Sequence, residues 1–261
     1  MNEQIIPNRL FIKDDIYLAY HQYKKKSNTK PGVIYLSGFG GDMDGNKALA
    51  VEKFCVENNH DFIRFDYLGH GKSSGEFENF TILDWVDNAL KVLDELTTGP
   101  QLLVGSSMGG WIMLQVALHR KERVAGLVGI APAQDFTELL MWNNFTQDIK
   151  DELETNGKIL LKHESGEDYF VTKRMIEDGR KMLVMNQAID IDIPVTIVHG
   201  MKDHDVPYQL SLDLVNKLGS NDVELYLVKD ANHRFSDPDN IDLLLSSIDK
   251  IIAKINNINN K

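Results

Sequence analysis

One cysteine, Cys55, stands among 261 residues, so no intramolecular disulfide can form. It falls in an apolar-periodic stretch, Lys47 to Glu57, and reads as a buried core thiol with no partner to activate it. Long apolar runs are missing, and none reaches the length that crosses a bilayer. A basic start followed by an apolar run is missing too. The chain opens Met1-Asn2-Glu3-Gln4, and no secretory signal is expected. Positive charge is scarce: 28 Lys and Arg against 39 Asp and Glu leave a net charge of −11 and a pI near 5.2. That balance favours solubility and argues against nucleic acid or an anionic membrane surface as a partner. Internal repeats and low-complexity tracts are lacking, apart from an Asn-rich end, Asn256 to Asn260, expected to fray. The expectation is a cytoplasmic protein with no stable membrane insertion and with a homo-oligomer left open.

What is present is a core-forming chain, 43% hydrophobic, with short apolar strands alternating with helical patterns. Arg9 to Lys13 and Ile16 to Tyr23, around Asp14-Asp15, read as an opening hairpin. Lys24 to Pro31 reads as a polar turn. Strands are expected at Val33 to Leu36, Asp61 to Asp66, Gln101 to Gly105, Val124 to Ala131, Ile193 to Val198 and Val223 to Val228. Helices are expected at Asn46 to Asn58, Thr81 to Leu96 (with Thr81 and Asp84 as a capping-box variant), Trp111 to Leu118, Gln209 to Leu218 and Pro238 to Ile255. This alternation predicts an α/β fold with a mostly parallel central sheet and helices on both faces. It stops at Pro132. Residues 133–190 carry helical patterns and no strong buried strand. They read as a helical cap inserted into a core made of 1–132 and 191–261.

The stretch Gly105-Ser106-Ser107-Met108-Gly109-Gly110-Trp111 organises the chain. An apolar run ends in Gly-x-Ser-x-Gly and a strongly apolar run begins at once, the pattern of a strand, a tight turn and a buried helix. Such a turn holds a serine in strained backbone geometry with its hydroxyl clear of the sheet. By composition the motif is expected roughly 0.06 times per chain, yet it occurs twice, so context must choose. At Gly71-Lys72-Ser73-Ser74-Gly75 the preceding strand ends too early and no apolar helix follows, so Ser73 reads as a loop residue. Ser106 is off register and reads as a supporting group.

A serine hydroxyl needs a base, and the base an orienting carboxylate. In this architecture the chain order is serine, acid, histidine. Of eight histidines, His233 alone lies in a loop after the final strand. His21, His60, His119 and His163 lie elsewhere, and His70 precedes the serine. His199 reads as a structural hydrogen-bonding group, and His204 as solvent-facing. Asp203 and Asp205 compete for the acid, with Asp230 behind them. Asp203 stands at the tip of its loop and is favoured, while Asp205 reads as a helix-side cap. His199, Asp203, His204 and Asp205 do not have a standard zinc spacing, and neither metal nor cofactor is expected. Oxyanion donors are expected at the amides of Met108 and Phe39, the latter in Gly38-Phe39-Gly40-Gly41 after a strand. A phosphate-loop reading of Gly71-Lys72-Ser73 fails, because its first glycine would be Asp66.

With these residues in hand, the chain resembles the α/β-hydrolase fold family over nearly its whole length. More narrowly it is similar to bacterial relatives of α/β-hydrolase domain-containing protein 10, a palmitoyl-protein thioesterase also described as an acyl-glucuronide esterase. Asn46 to Ala50, Phe62 to Tyr67, Gly105 to Trp111, His199 to Asp203 with Val206-Pro207, and His233-Arg234 carry the likeness. The resemblance implies Ser107 as nucleophile, Asp203 as acid, His233 as base and Phe39 as oxyanion donor.

The expected function is a serine hydrolase that cleaves carboxylic esters or thioesters of small or acyl-chain substrates through an acyl-enzyme. Met141, Trp142 and Phe145 are candidates to line an apolar acyl pocket. Anionic substrates would need compensation from Arg64, Lys72 or Arg234. The alternatives are a catalytically inactive binding protein of the same fold, or an acyltransferase using the same triad.

Overall fold

The computed structural model describes residues 6–25, 31–162 and 168–259. His163 and most of the turn expected before Pro31 lie outside them. The chain opens with the hairpin β1 (Asn8–Lys13) and β2 (Ile16–Tyr23), turning at Asp14 with φ 48°. Then follow β3 (Gly32–Leu36), α1 (Asn46–Glu57), β4 (Phe62–Phe65), α2 (Ile82–Leu96), β5 (Gln101–Ser106), α3 (Met108–His119) and β6 (Val124–Ile130). After an intervening segment come β9 (Val195–Gly200), α6 (Gln209–Lys217), β10 (Val223–Val228) and α7 (Pro238–Asn259).

The strands form one sheet in the order β1-β2-β4-β3-β5-β6-β9-β10. β2 pairs antiparallel with β1 and β4, and all other neighbours are parallel. Every residue of β3, β4, β5 and β9 is buried. Helices cover both faces, which is why these strands read as unbroken apolar runs.

On one face α2 presents Ile82, Trp85, Val86, Ala89, Val92 and Leu93 at helical spacing. Its first turn is held by Asp84, whose carboxylate accepts the Thr81 amide at 2.9 Å. α3 is apolar all round and buried from Met108 to Ala117. On the other face Cys55 of α1 packs with Leu244, Ile248, Ile251 and Ile252 of α7. Cys55 is fully buried, and burial pushes its thiol far above the usual range. α7 continues to Asn259, past the point where fraying was expected.

The segment between β6 and β9 departs from the sequence expectation. Besides a π-helical turn at Thr137–Met141, α4 (Gln147–Asn156) and α5 (Lys173–Lys181), it contains an antiparallel strand pair. β7 (Lys158–Leu161) and β8 (Tyr169–Thr172) bury only Ile159 and Val171 completely. Strands that short and that exposed leave little apolar alternation in the sequence. Thr81 anchors the segment to α2: its hydroxyl donates to the buried Asp178 of α5 at 2.9 Å.

Candidate active site

The parallel strands deliver their following loops to one end of the sheet, where open α/β sheets hold their sites. β5 ends at Ser106 and α3 begins at Met108, so Ser107 is the whole turn. Its φ of 53° and ψ of −118° are rare for a residue with a side chain. The glycines of the motif have steric reasons. A Cβ on Gly105 would lie 2.4 Å from the Gly109 carbonyl oxygen, and one on Gly109 would lie 2.1 Å from that of Leu36. The Ser107 amide donates to Ile130 at 2.9 Å, locking the turn to β6. Ser106, next to it, is buried at the end of β5.

Ser107, Asp203 and His233 meet. His233 Nδ1 lies 2.7 Å from Asp203 Oδ2, and Nε2 lies 3.1 Å from Ser107 Oγ. A carboxylate only accepts, so Nδ1 carries the proton and Nε2 accepts from the serine hydroxyl. Asp203 is oriented from both sides. Its Oδ1 accepts the amides of Asp205 and Val206 at 3.0 and 2.8 Å. Its Oδ2 also accepts from His199 Nε2 at 3.2 Å. His199 is fully buried, and Nε2 also donates to the Val206 carbonyl, so its Nδ1 accepts from the Ser211 hydroxyl at 2.7 Å. Burial alone would raise the Asp203 pKa, but the hydrogen bonds from His199 and His233 outweigh it and hold the carboxyl well below the ordinary range.

Two loops press on this triad. The one after β3 lies against the serine: a Cβ on Gly38 would sit 3.3 Å from Ser107 Cβ. The Phe39 ring is wedged edge-on among Phe77, Trp85, Phe136 and Tyr169, at centroid distances of 4.8 to 6.0 Å. Asp66 ties this loop to the Gly-rich one by accepting the amides of Met43 at 2.6 Å and Lys72 at 2.8 Å. Burial pushes its carboxyl up to about 6, against those two bonds. Ser73 is structural, accepting the Ala19 amide and donating to the Asp66 carbonyl. The other loop carries His233, and Lys47 Nζ donates to the Arg234 carbonyl there at 2.5 Å.

A cleft of about 1090 Å³ opens over Ser107 and Met108. Met141 lines it, as expected, but Trp142 and Phe145 do not. The Trp142 ring instead meets Arg180 at 4.5 Å and Lys150 at 5.2 Å. Phe145 packs against the core at the end of that turn. The walls come largely from residues with no motif: His70, Phe77, Phe136, Leu140, Tyr169 and Phe170. Of the cations weighed for anionic substrates, Arg234 lines the cleft. Arg64 is committed to Asp44 and Glu52, and Lys72 to Asp44. Asp205 also lines the cleft rather than capping α6, whose N-cap is Tyr208. His204 is exposed.

Asp203, Asp205 and His233 each bring one donor atom within 4.8 Å of the others, which would suit a metal ion geometrically. Asp203 and His233 are already bonded to each other and to Ser107. A cation there would take the lone pairs that this arrangement uses.

Strand, one-residue turn and buried helix, with a serine, a histidine and an aspartate in that order of contact, define a class. The chain belongs to the α/β hydrolase fold family, whose model matches residues 31–170. It is a serine hydrolase. Human mitochondrial palmitoyl-protein thioesterase ABHD10 is 38% identical over 240 residues, which cover 91% of this chain and 78% of that protein. The structure of α/β hydrolase domain-containing protein 10 from mouse superimposes with a TM-score of 0.87 at 36% identity, covering 95% of this chain and 99% of that one. A putative hydrolase from Agrobacterium vitis S4 reaches 0.89 at 39% identity, covering 94% and 97%. These agree with the likeness drawn from the motifs.

Proposed function

We propose that Ser107 attacks the carbonyl of an acyl ester or thioester, preferably one with a long acyl chain. His233 takes the serine proton, gives it to the leaving alcohol or thiol, and then activates water to release the acid. Asp203 holds His233 in the Nδ1–H tautomer, and the amides of Phe39 and Met108 receive the oxyanion. The observation that carries this reading is the continuous path from Ser107 through His233 to Asp203 at 3.1 and 2.7 Å. The apolar walls of the cleft, including Met141, suit an acyl chain. The proposal places the acyl side under a cap of residues 133–190, seated on a core of 1–132 and 191–261. The substrate class extends to acylated peptides, because the relatives named palmitoyl-protein thioesterases share 35–38% identity with this chain.

No nucleic acid and no stable membrane insertion enter the proposal. The net charge of −11 supports the first. For the second, among the described residues no helix is long and apolar enough to cross a membrane. We place the protein in the cytoplasm, where a lone buried thiol is at ease. The relatives named mitochondrial point to another compartment, and cell fractionation decides. Light scattering settles whether a homo-oligomer forms.

The test is a panel of p-nitrophenyl esters and acyl thioesters of increasing chain length, run beside Ser107→Ala, together with a fluorophosphonate probe. Wild type should label and turn over, and Ser107→Ala should do neither. Binding without turnover or labelling would mean a retired hydrolase fold. Transfer of the acyl group to an added alcohol in preference to water would mean an acyltransferase.

A further inference from the structure

His70 takes no part in the triad, yet it lines the cleft and is only 4% exposed. It sits in an aromatic box, with ring centroids 5.0 Å from Phe77, 5.1 Å from Trp85 and 5.5 Å from Tyr67. Its two nitrogens have distinct partners. Nδ1 lies 3.3 Å from the Leu68 carbonyl and must donate to it, so Nε2 is the acceptor. The group it accepts from, at 3.3 Å, is the Gly40 amide. Gly40 follows Phe39 directly and turns with a φ of 67°, so that bond fixes the peptide plane adjoining the proposed oxyanion donor. The Leu68 carbonyl also accepts from Trp85 Nε1 at 3.1 Å, and therefore keeps a partner without His70. Among the described residues the Gly40 amide shows no backbone acceptor in its place. Burial pushes the imidazole pKa down to about 4, which keeps the accepting lone pair in place at neutral pH.

We propose that His70 is a positioning residue for catalysis: its Nε2 holds the Phe39-Gly40 peptide so that the Phe39 amide points at the developing oxyanion. This rests on the reading of Phe39 as an oxyanion donor given above. An oxyanion hole works through donors placed before the reaction begins. A loop free to rock would cost transition-state binding and leave ground-state binding of the acyl chain in the cleft largely unchanged.

The test compares His70→Phe, which keeps an aromatic ring and removes the acceptor, with His70→Gln, whose carbonyl can take the place of Nε2. Both are assayed on a p-nitrophenyl ester that wild type turns over, with circular dichroism and thermal melting as folding checks. His70→Phe should lose about 10- to 100-fold in kcat with KM nearly unchanged, and His70→Gln should recover most of the loss. Hydrogen exchange at Gly40 should be faster in His70→Phe than in His70→Gln. Two results would overturn the inference: a folded His70→Phe with wild-type kcat, or equal losses in the two variants with unchanged Gly40 exchange. An active wild type with an unaffected His70→Phe sinks this proposal alone, whereas a wild type silent on every ester and thioester sinks the hydrolase reading with it.

Discussion

Asp203 is the most constrained side chain at the site. Two amides and two imidazoles converge on its carboxylate, all while it is buried. Replacing it with Asn would turn one acceptor oxygen into a donor and favour the wrong tautomer of His233. Asp203→Asn should therefore lower kcat by about 10⁴-fold with little change in KM, as read by steady-state kinetics. Lys47 acts more gently. Burial, and then the charge of Arg234, push its pKa down to about 8, and its bond to the Arg234 carbonyl steadies the loop that carries His233. Lys47→Met should cost about tenfold in kcat. An unaltered rate would show that the loop holds itself. At this scale the sequence was informative about identity and less so about partners. Chain order picked out His233, and placement at a strand end marked His199 as structural. That His199 reaches Asp203 depends on a loop path no local pattern specifies.

Among the elements, the β5–α3 junction tolerates least. Its glycines touch backbone, which cannot move aside as a side chain can. Gly109→Ala would drive a methyl group into the Leu36 carbonyl oxygen and should destabilise the fold by about 3 kcal/mol or displace the turn; denaturant titration and fluorophosphonate labelling would show which. The segment between β6 and β9 behaves differently. Trp142 faces Arg180 and Lys150, away from the cleft, so Trp142→Ala should leave kcat/KM on long and short esters within about twofold. Leu140 lines the cleft and is half-buried. Leu140→Trp should narrow it and shift the chain-length preference toward short acyl groups by about tenfold. If the two substitutions had the opposite effects, Trp142 rather than Leu140 would face the acyl chain. The capping box at Thr81, the strands of the sheet and the flanking helices were all legible, because each depends on residues within a few positions. The β7–β8 pair was not: its strands are four residues each and bury one side chain apiece.

Acid sensitivity belongs to the whole molecule, because two buried groups pull in opposite directions. His70 titrates near 6.5 when unfolded and near 4 when folded. Between those values the unfolded chain binds more protons, so this residue lowers stability as pH falls, by up to about 3 kcal/mol. Asp66 goes from 3.8 unfolded to about 6 folded. There the folded chain holds the extra proton, so its contribution is full below about 4 and is lost as pH rises through about 6. The two nearly cancel in wild type between pH 4 and 6. His70→Phe should unmask the Asp66 slope, making the variant gain stability relative to wild type as pH drops from 7 to 4.5. Urea titrations across that range would measure it, and a constant difference would mean that His70 is not held neutral.

The chemistry of this protein was written into short stretches of its chain. A one-residue turn between a strand and a helix needs small flanking residues wherever it occurs, and the order of serine, aspartate and histidine follows from the order of the strands. Those demands are local or topological, so they leave a mark in the sequence. The cleft obeys no such rule. Around the triad its walls are drawn from residues 39–40, 69–71, 76–78, 136, 140–141, 168–170 and 205–206. A side chain in any of these faces substrate or core according to what packs behind it. Only the assembled fold decided that Phe77 and His70 look into the cleft and that Trp142 looks out.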